Sequence, residues 1–188
     1  MDRNNLTRGR SVCLSCAIVG ICAATLECGK LILAALPNIE VVTLFCGLFG
    51  YCFGWLGVLS ALIFVLIEPM IFGFGTWFIT YLIHWPTTAL CFMILSKARK
   101  RSDGIFAGRI IPTLLALLTV LCFGILSSLV DVGLFTGHFD NFLYRFSIYY
   151  LRGIPFYVSQ LLTNLVLFPL LFPLLSGKLS YFRKKLLK

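Results

Sequence analysis

Thirteen of the sixteen Lys and Arg residues of this chain fall in three short clusters, separated by almost unbroken apolar sequence. Arg3, Arg8 and Arg10 form the first, and Lys97, Arg99, Lys100, Arg101 and Arg109 the second. Lys178, Arg183, Lys184, Lys185 and Lys188 form the third. Basic residues beside membrane spans are retained on the cytoplasmic side, so an even number of crossings must separate each cluster from the next.

The stretches between the clusters are too apolar for a soluble core. Of 188 residues 60% are hydrophobic and 12% charged, against roughly 25% charged in a globular domain. A bilayer accommodates such a chain, provided its backbone polar groups are paired within helices. The net charge of +9 lies in span-flanking runs without interleaved aromatics. It is read as membrane orientation, and no nucleic-acid partner is expected. The eight cysteines all sit in apolar segments and are read as small hydrophobes. Cys13 and Cys16 form a CxxC with no second pair and no nearby His, so no metal, cofactor or disulfide framework is expected. The basic start followed by an apolar run resembles a signal peptide. The run over 11–36 is longer than a typical h-region and contains Glu27 and Lys30, which favours an uncleaved first span.

Apolar segments lie at 11–36, 41–67, 77–96, 110–132 and 154–176. Five crossings would put the second cluster opposite the first. Gly47, Gly50, Gly54 and Gly57 weaken the middle of 41–67, and splitting it near Gly54-Trp55 gives six. The fold expected is therefore an all-α integral membrane bundle of six helices, multi-pass in the cell membrane, with both termini cytoplasmic. Helices 2 and 3 are short: about 13 residues reach about 20 Å, against a hydrocarbon core of about 30 Å. Residues 1–10 are expected to be a cytoplasmic segment, 11–176 one membrane domain and 177–188 a basic cytoplasmic tail. The external segments are then 37–40, 68–76 and 133–153. The last is long for a loop and carries His138, Phe139, Asp140, Tyr144, Arg145, Tyr149, Tyr150 and Arg152.

Polar and aromatic residues concentrate at the external ends. Trp77, Tyr81, His84, Trp85 and Thr88 recur at three- and four-residue steps, which places them on one face of helix 4. Tyr157, Gln160 and Asn164 do the same on helix 6. Two readings stand: an externally open pocket with aromatic walls and amide anchors, or an interface belt with helix–helix glue. Glu27 and Lys30, three residues apart, share a face and are read as an internal ion pair or as a ligand contact or proton relay. Glu68 and Asp131 are read as markers of span ends, and His84 as a packing histidine. Cys16, Gly20 and Ala24 form a stripe of small residues at four-residue spacing on helix 1, with Ala17 beside it. No GxSxG, HExxH or GxxxxGK[ST] occurs, so no catalysis is expected and active transport would need a separate motor.

Six helices with both ends inside, Leu36-Pro37-Asn38-Ile39-Glu40 after helix 1, and Gly153-Ile154-Pro155-Phe156-Tyr157 leading into Asn164 together resemble the S components of energy-coupling factor (ECF) transporters. These are the membrane-embedded substrate-binding subunits of bacterial vitamin importers. The resemblance runs from about residue 11 to 176, and the order of the motifs carries most of it. It implies a binding protein without catalysis whose external pocket captures a small vitamin-like substrate, with cobalamin as the lead. It nominates Asn38, Glu40, Trp77, Tyr81, Trp85, Tyr157, Gln160 and Asn164 as substrate-binding residues. It also implies docking of helix 1, through an AxxxA-like motif, on a transmembrane scaffold subunit served by two ATPase subunits. Here that stripe reads Cys16-x-x-x-Gly20-x-x-x-Ala24, or Ala17 with the larger Ile21. A self-sufficient secondary transporter using Glu27 and Lys30 is the alternative, and an intramembrane enzyme using His84, Glu68 and Asp131 a third class.

Overall fold

The computed structural model describes residues 3–34, 39–99, 104–135 and 140–186. Six α-helices follow one another: α1 (Arg3–Leu33), α2 (Val42–Phe53), α3 (Trp55–Phe72), α4 (Trp77–Ala98), α5 (Ile105–Val130) and α6 (Phe142–Leu186). A π-helical turn, Asp131–Phe135, extends α5. Five helices are long and apolar enough to cross a membrane, and α2 is the short exception. The described chain is an all-α membrane bundle.

The turn expected inside the glycine-rich segment falls at Gly54, whose φ of 63° is left-handed backbone that favours glycine. This turn folds α3 back onto α2. A Cβ on Gly57 would fall on the backbone of Phe49, and one on Gly50 would fall on the carbonyl of Ala89 in α4. Both glycines therefore set close backbone approaches. Gly50→Leu is expected to force α2 and α4 apart at a cost of about 1–3 kcal/mol or more. Thermal denaturation of the purified variant checks this.

Cross-helix pairs fix the directions. Cys22 lies beside Ser60 and Lys30 beside Glu68, so α1 and α3 run parallel. Gly50 abuts Ala89, and Gly54 lies nearest Met93, so α2 and α4 run parallel and opposite to them. At the Gly54 end, Arg183 Nη1 donates to the Cys52 carbonyl at 2.9 Å. Tyr51, Arg99, Gly104, Ser176 and Ser180 line a shared cleft there. Arg99 of the second basic cluster and Arg183 of the third thus lie at one end of the bundle, as an even number of crossings requires. α1 starts toward that same end. One core joins all six helices through Leu26, Leu44, Phe64, Phe92, Ala116 and Phe168.

One expectation needs correction. Residues 142–153 are not a loop but the start of α6, which spans 45 residues, about 68 Å at 1.5 Å per residue. Phe142, Phe146 and Tyr150, four apart, stack at centroid distances of 6.3 and 5.9 Å, and Tyr150 reaches Tyr157 at 5.6 Å. That ladder carries the helix outward past Pro155. Residues 177–186 continue α6, and α1 begins at Arg3. His138 and Phe139 lie outside the described residues.

Candidate binding pocket at the end opposite the basic clusters

Five helices frame a cavity of about 200 Å³ at the end opposite Gly54. The end of α1 supplies Lys30, Leu33 and Ala34, and the α1–α2 connection and the start of α2 supply Ile39, Glu40 and Val42. Phe64 of α3, Tyr81 and Trp85 of α4, and Gln160 of α6 complete the lining. Glu40, Tyr81, Trp85 and Gln160, nominated from the sequence, therefore share one cavity.

Glu40 precedes α2 and is tied to its first turn. The Thr43 hydroxyl donates to one carboxylate oxygen at 2.5 Å, and the Thr43 amide donates to the other at 3.2 Å. Burial pushes the Glu40 carboxyl above the usual carboxylate range, opposed by the hydrogen bonds from Thr43 and from the Asn164 side chain. Asn164 is thus a direct neighbour of Glu40 across the bundle. It is wholly buried, its Nδ2 donates to the Gln160 carbonyl at 2.9 Å, and its Oδ1 accepts no hydrogen bond among the described residues.

The aromatic wall follows from four-residue spacing on α4. Trp77 meets Tyr81 at 5.2 Å and Tyr81 meets Trp85 at 5.6 Å, both edge-on. Phe64 meets Trp85 at 6.4 Å. Trp77 belongs to this chain of rings but does not line the cavity. The Trp85 ring is only 4% exposed, and its indole N–H lacks an acceptor among the described residues. His84 packs between Trp85 and Phe123, at 4.7 and 4.9 Å, with its Nε2 3.5 Å from the Thr88 hydroxyl. It is a packing histidine.

Tyr157 stands one cavity away. Its hydroxyl donates to the Gly124 carbonyl at 3.4 Å, and its ring lines a cleft of about 370 Å³ with Phe123, Ser127, Asp131 and Arg152. Tyr81 and Gln160 line both spaces and divide them. Asn38 lies outside the described residues.

The charge pairing differs from the expected Glu27–Lys30 contact. Lys30 instead forms an ion pair with Glu68 of α3. Its ammonium also lies over the rings of Phe72, Tyr81, Trp77 and Phe64, at 4.6, 5.1, 5.8 and 6.0 Å. Glu68 is fully buried and so does not mark an interfacial span end. The parallel course of α1 and α3 puts it next to Lys30, a long-range match that helical spacing within α1 does not reveal. Glu27 is buried beside the pair, and neither of its oxygens accepts a hydrogen bond among the described residues. Lys30 and Phe64, with the aliphatic Leu33, Ala34, Ile39 and Val42, are the pocket residues absent from the nominated set. Sequence had marked Lys30 only for its charge inside a span, and nothing local distinguished Phe64 from other core aromatics.

The stripe of Cys16, Gly20 and Ala24 faces outward with Ala17 and Ile21, opposite the buried face of Ile18, Val19, Cys22 and Leu26. A Cβ on Gly20 would meet nothing within 4 Å. All eight cysteines are free thiols, and among the described residues no three His, Cys, Asp or Glu side chains group as a metal site. Compared with known proteins, the chain matches no protein-family model, no curated sequence and no solved structure.

Proposed function

We propose that the chain is the substrate-binding S component of an ECF-type importer. It captures a vitamin or related micronutrient at the external end, for uptake driven by ATP hydrolysis in partner subunits. The observation that carries this reading is the convergence of Glu40, Tyr81, Trp85 and Gln160 on one cavity, with Asn164 against Glu40. At about 200 Å³ the space is smaller than the usual range for drug-sized sites, about 300–1,000 Å³. That size suits a single small ring system better than cobalamin.

The partners in this reading are a transmembrane scaffold and two ATPase subunits, with α1 docking through Cys16, Gly20 and Ala24. The outward course of that stripe supports the assignment, because small residues let a second helix approach closely. Affinity purification from the native membrane is expected to recover the chain with a scaffold and two ATPases; recovery of this chain alone would count against the reading. Gly20→Trp is expected to cut that recovery by about tenfold or more through steric exclusion. Its thermal stability should stay within a few degrees of wild type, since the position touches nothing in the bundle.

A second reading, a secondary transporter of a small metabolite, is favoured by one observation: the buried Glu27 carboxyl beside the Lys30–Glu68 pair. Ionisable groups inside a span commonly mark proton or ion pathways. On this reading Glu27→Gln abolishes gradient-driven uptake in proteoliposomes, whereas the importer reading expects no such uptake from either protein.

A further inference from the structure

We propose that the external cavity takes a planar organic cation, an aromatic ring bearing an amidine-like or otherwise positively charged nitrogen edge. The inference rests on the binding role proposed above and names its substrate class.

Charge distribution is the first ground. The chain has a net charge of +9 and only seven acidic residues, yet Glu40 lines this cavity and Glu27 and Glu68 stand beside its Lys30. Lys30 is the one basic residue of the lining, and Glu68 already matches it. Glu40 has no cationic partner among the described residues; Thr43 and Asn164 are its polar neighbours. An anionic ligand would meet this carboxylate with no uncommitted positive group beside it. A cation would supply the missing charge.

The second ground is shape and chemistry. Phe64, Tyr81 and Trp85 line the space; Lys30 already lies over the first two, which leaves Trp85 as the lining ring without a cation over it, and aromatic rings attract cations. Thr43 donates once to each Glu40 oxygen, with the Asn164 side chain and the Val42 amide as further donors, so a ligand N–H edge would take the place of these further contacts. Two parallel N–H groups of an amidine match the two oxygens of a carboxylate. Two buried polar atoms beside the cavity, Trp85 Nε1 and Asn164 Oδ1, lack partners among the described residues. A site with polar atoms left open in this way is arranged for a polar occupant.

The test uses three probes of nearly one shape and different charge: benzamidine, benzamide and benzoate. Binding to the purified full chain in nanodiscs is measured by titration calorimetry and thermal shift. Benzamidine is expected to bind about tenfold or more tighter than benzamide, with benzoate weakest. Glu40→Asp should keep this order, and Glu40→Gln should erase the benzamidine preference while the unliganded protein melts cooperatively. Benzoate binding as tightly as benzamidine, or an undiminished preference in a folded Glu40→Gln protein, would overturn the assignment. So would an absence of binding by all three to the wild type. If the chain copurifies with ATPases but holds an anionic vitamin, the cation assignment fails and the importer reading stands. If benzamidine is preferred but the chain alone drives accumulation, the importer reading fails and the cation assignment stands.

Discussion

Lys30→Met is expected to lower the melting temperature of the purified protein by about 10 °C, equivalent to about 3–5 kcal/mol. The reason lies with its partner. Glu68 is fully buried, its Oε1 accepts no hydrogen bond among the described residues, and its Oε2 is held by the Lys30 ammonium. Removing Lys30 leaves a buried carboxylate in the bundle without its counter-charge. The four rings around the ammonium lose their cation at the same time. Replacing both members, as Lys30→Met with Glu68→Met, should recover most of the loss, because two apolar side chains leave no buried charge. A double-mutant cycle separates the two accounts: strong coupling supports the pair, and additive losses would mean that each residue acts alone.

Glu40→Gln is expected to weaken ligand binding by about 10- to 100-fold, the range of a hydrogen bond to a charged group, about 1.5–3 kcal/mol. The fold should survive, since Gln keeps an acceptor for Thr43. A pH dependence goes with it. Burial raises the Glu40 carboxyl, so at low pH the site holds a neutral acid and binds donors poorly. Affinity should rise with pH as Glu40 ionises, starting from a higher pH than for an ordinary carboxylate, and then level off. Glu40→Gln should remove that rise. A wild-type profile retained in Glu40→Gln would assign the titration to another group.

Much of this architecture was written in local signals. The Gly54 turn follows from glycine spacing and from the parity imposed by the basic clusters. The ring sequence Trp77, Tyr81, Trp85 follows from helical periodicity alone. What escaped depends on contacts between distant segments. Lys30 stands three residues from Glu27, and spacing suggested that pair, but the parallel packing of α1 and α3 brought Glu68 closer. The start of α6 was missed for a different reason. Gly153 and Pro155 read as a helix boundary, yet the Phe142–Phe146–Tyr150 ladder holds the helix through them. Pairing of Glu40 with Asn164 joins residues 124 positions apart, and only the assembled bundle brings them together.

The claim at the centre of this account is that the chain captures its substrate but does not move it unaided. The direct test reconstitutes the purified chain alone in proteoliposomes, under proton and sodium gradients. The transported probe is whichever member of a panel of water-soluble vitamins and nucleobases most raises the protein's thermal stability. Binding without accumulation, with uptake appearing only when a scaffold and two ATPases are added with ATP, is the expected result. Gradient-driven accumulation by the chain alone would contradict it.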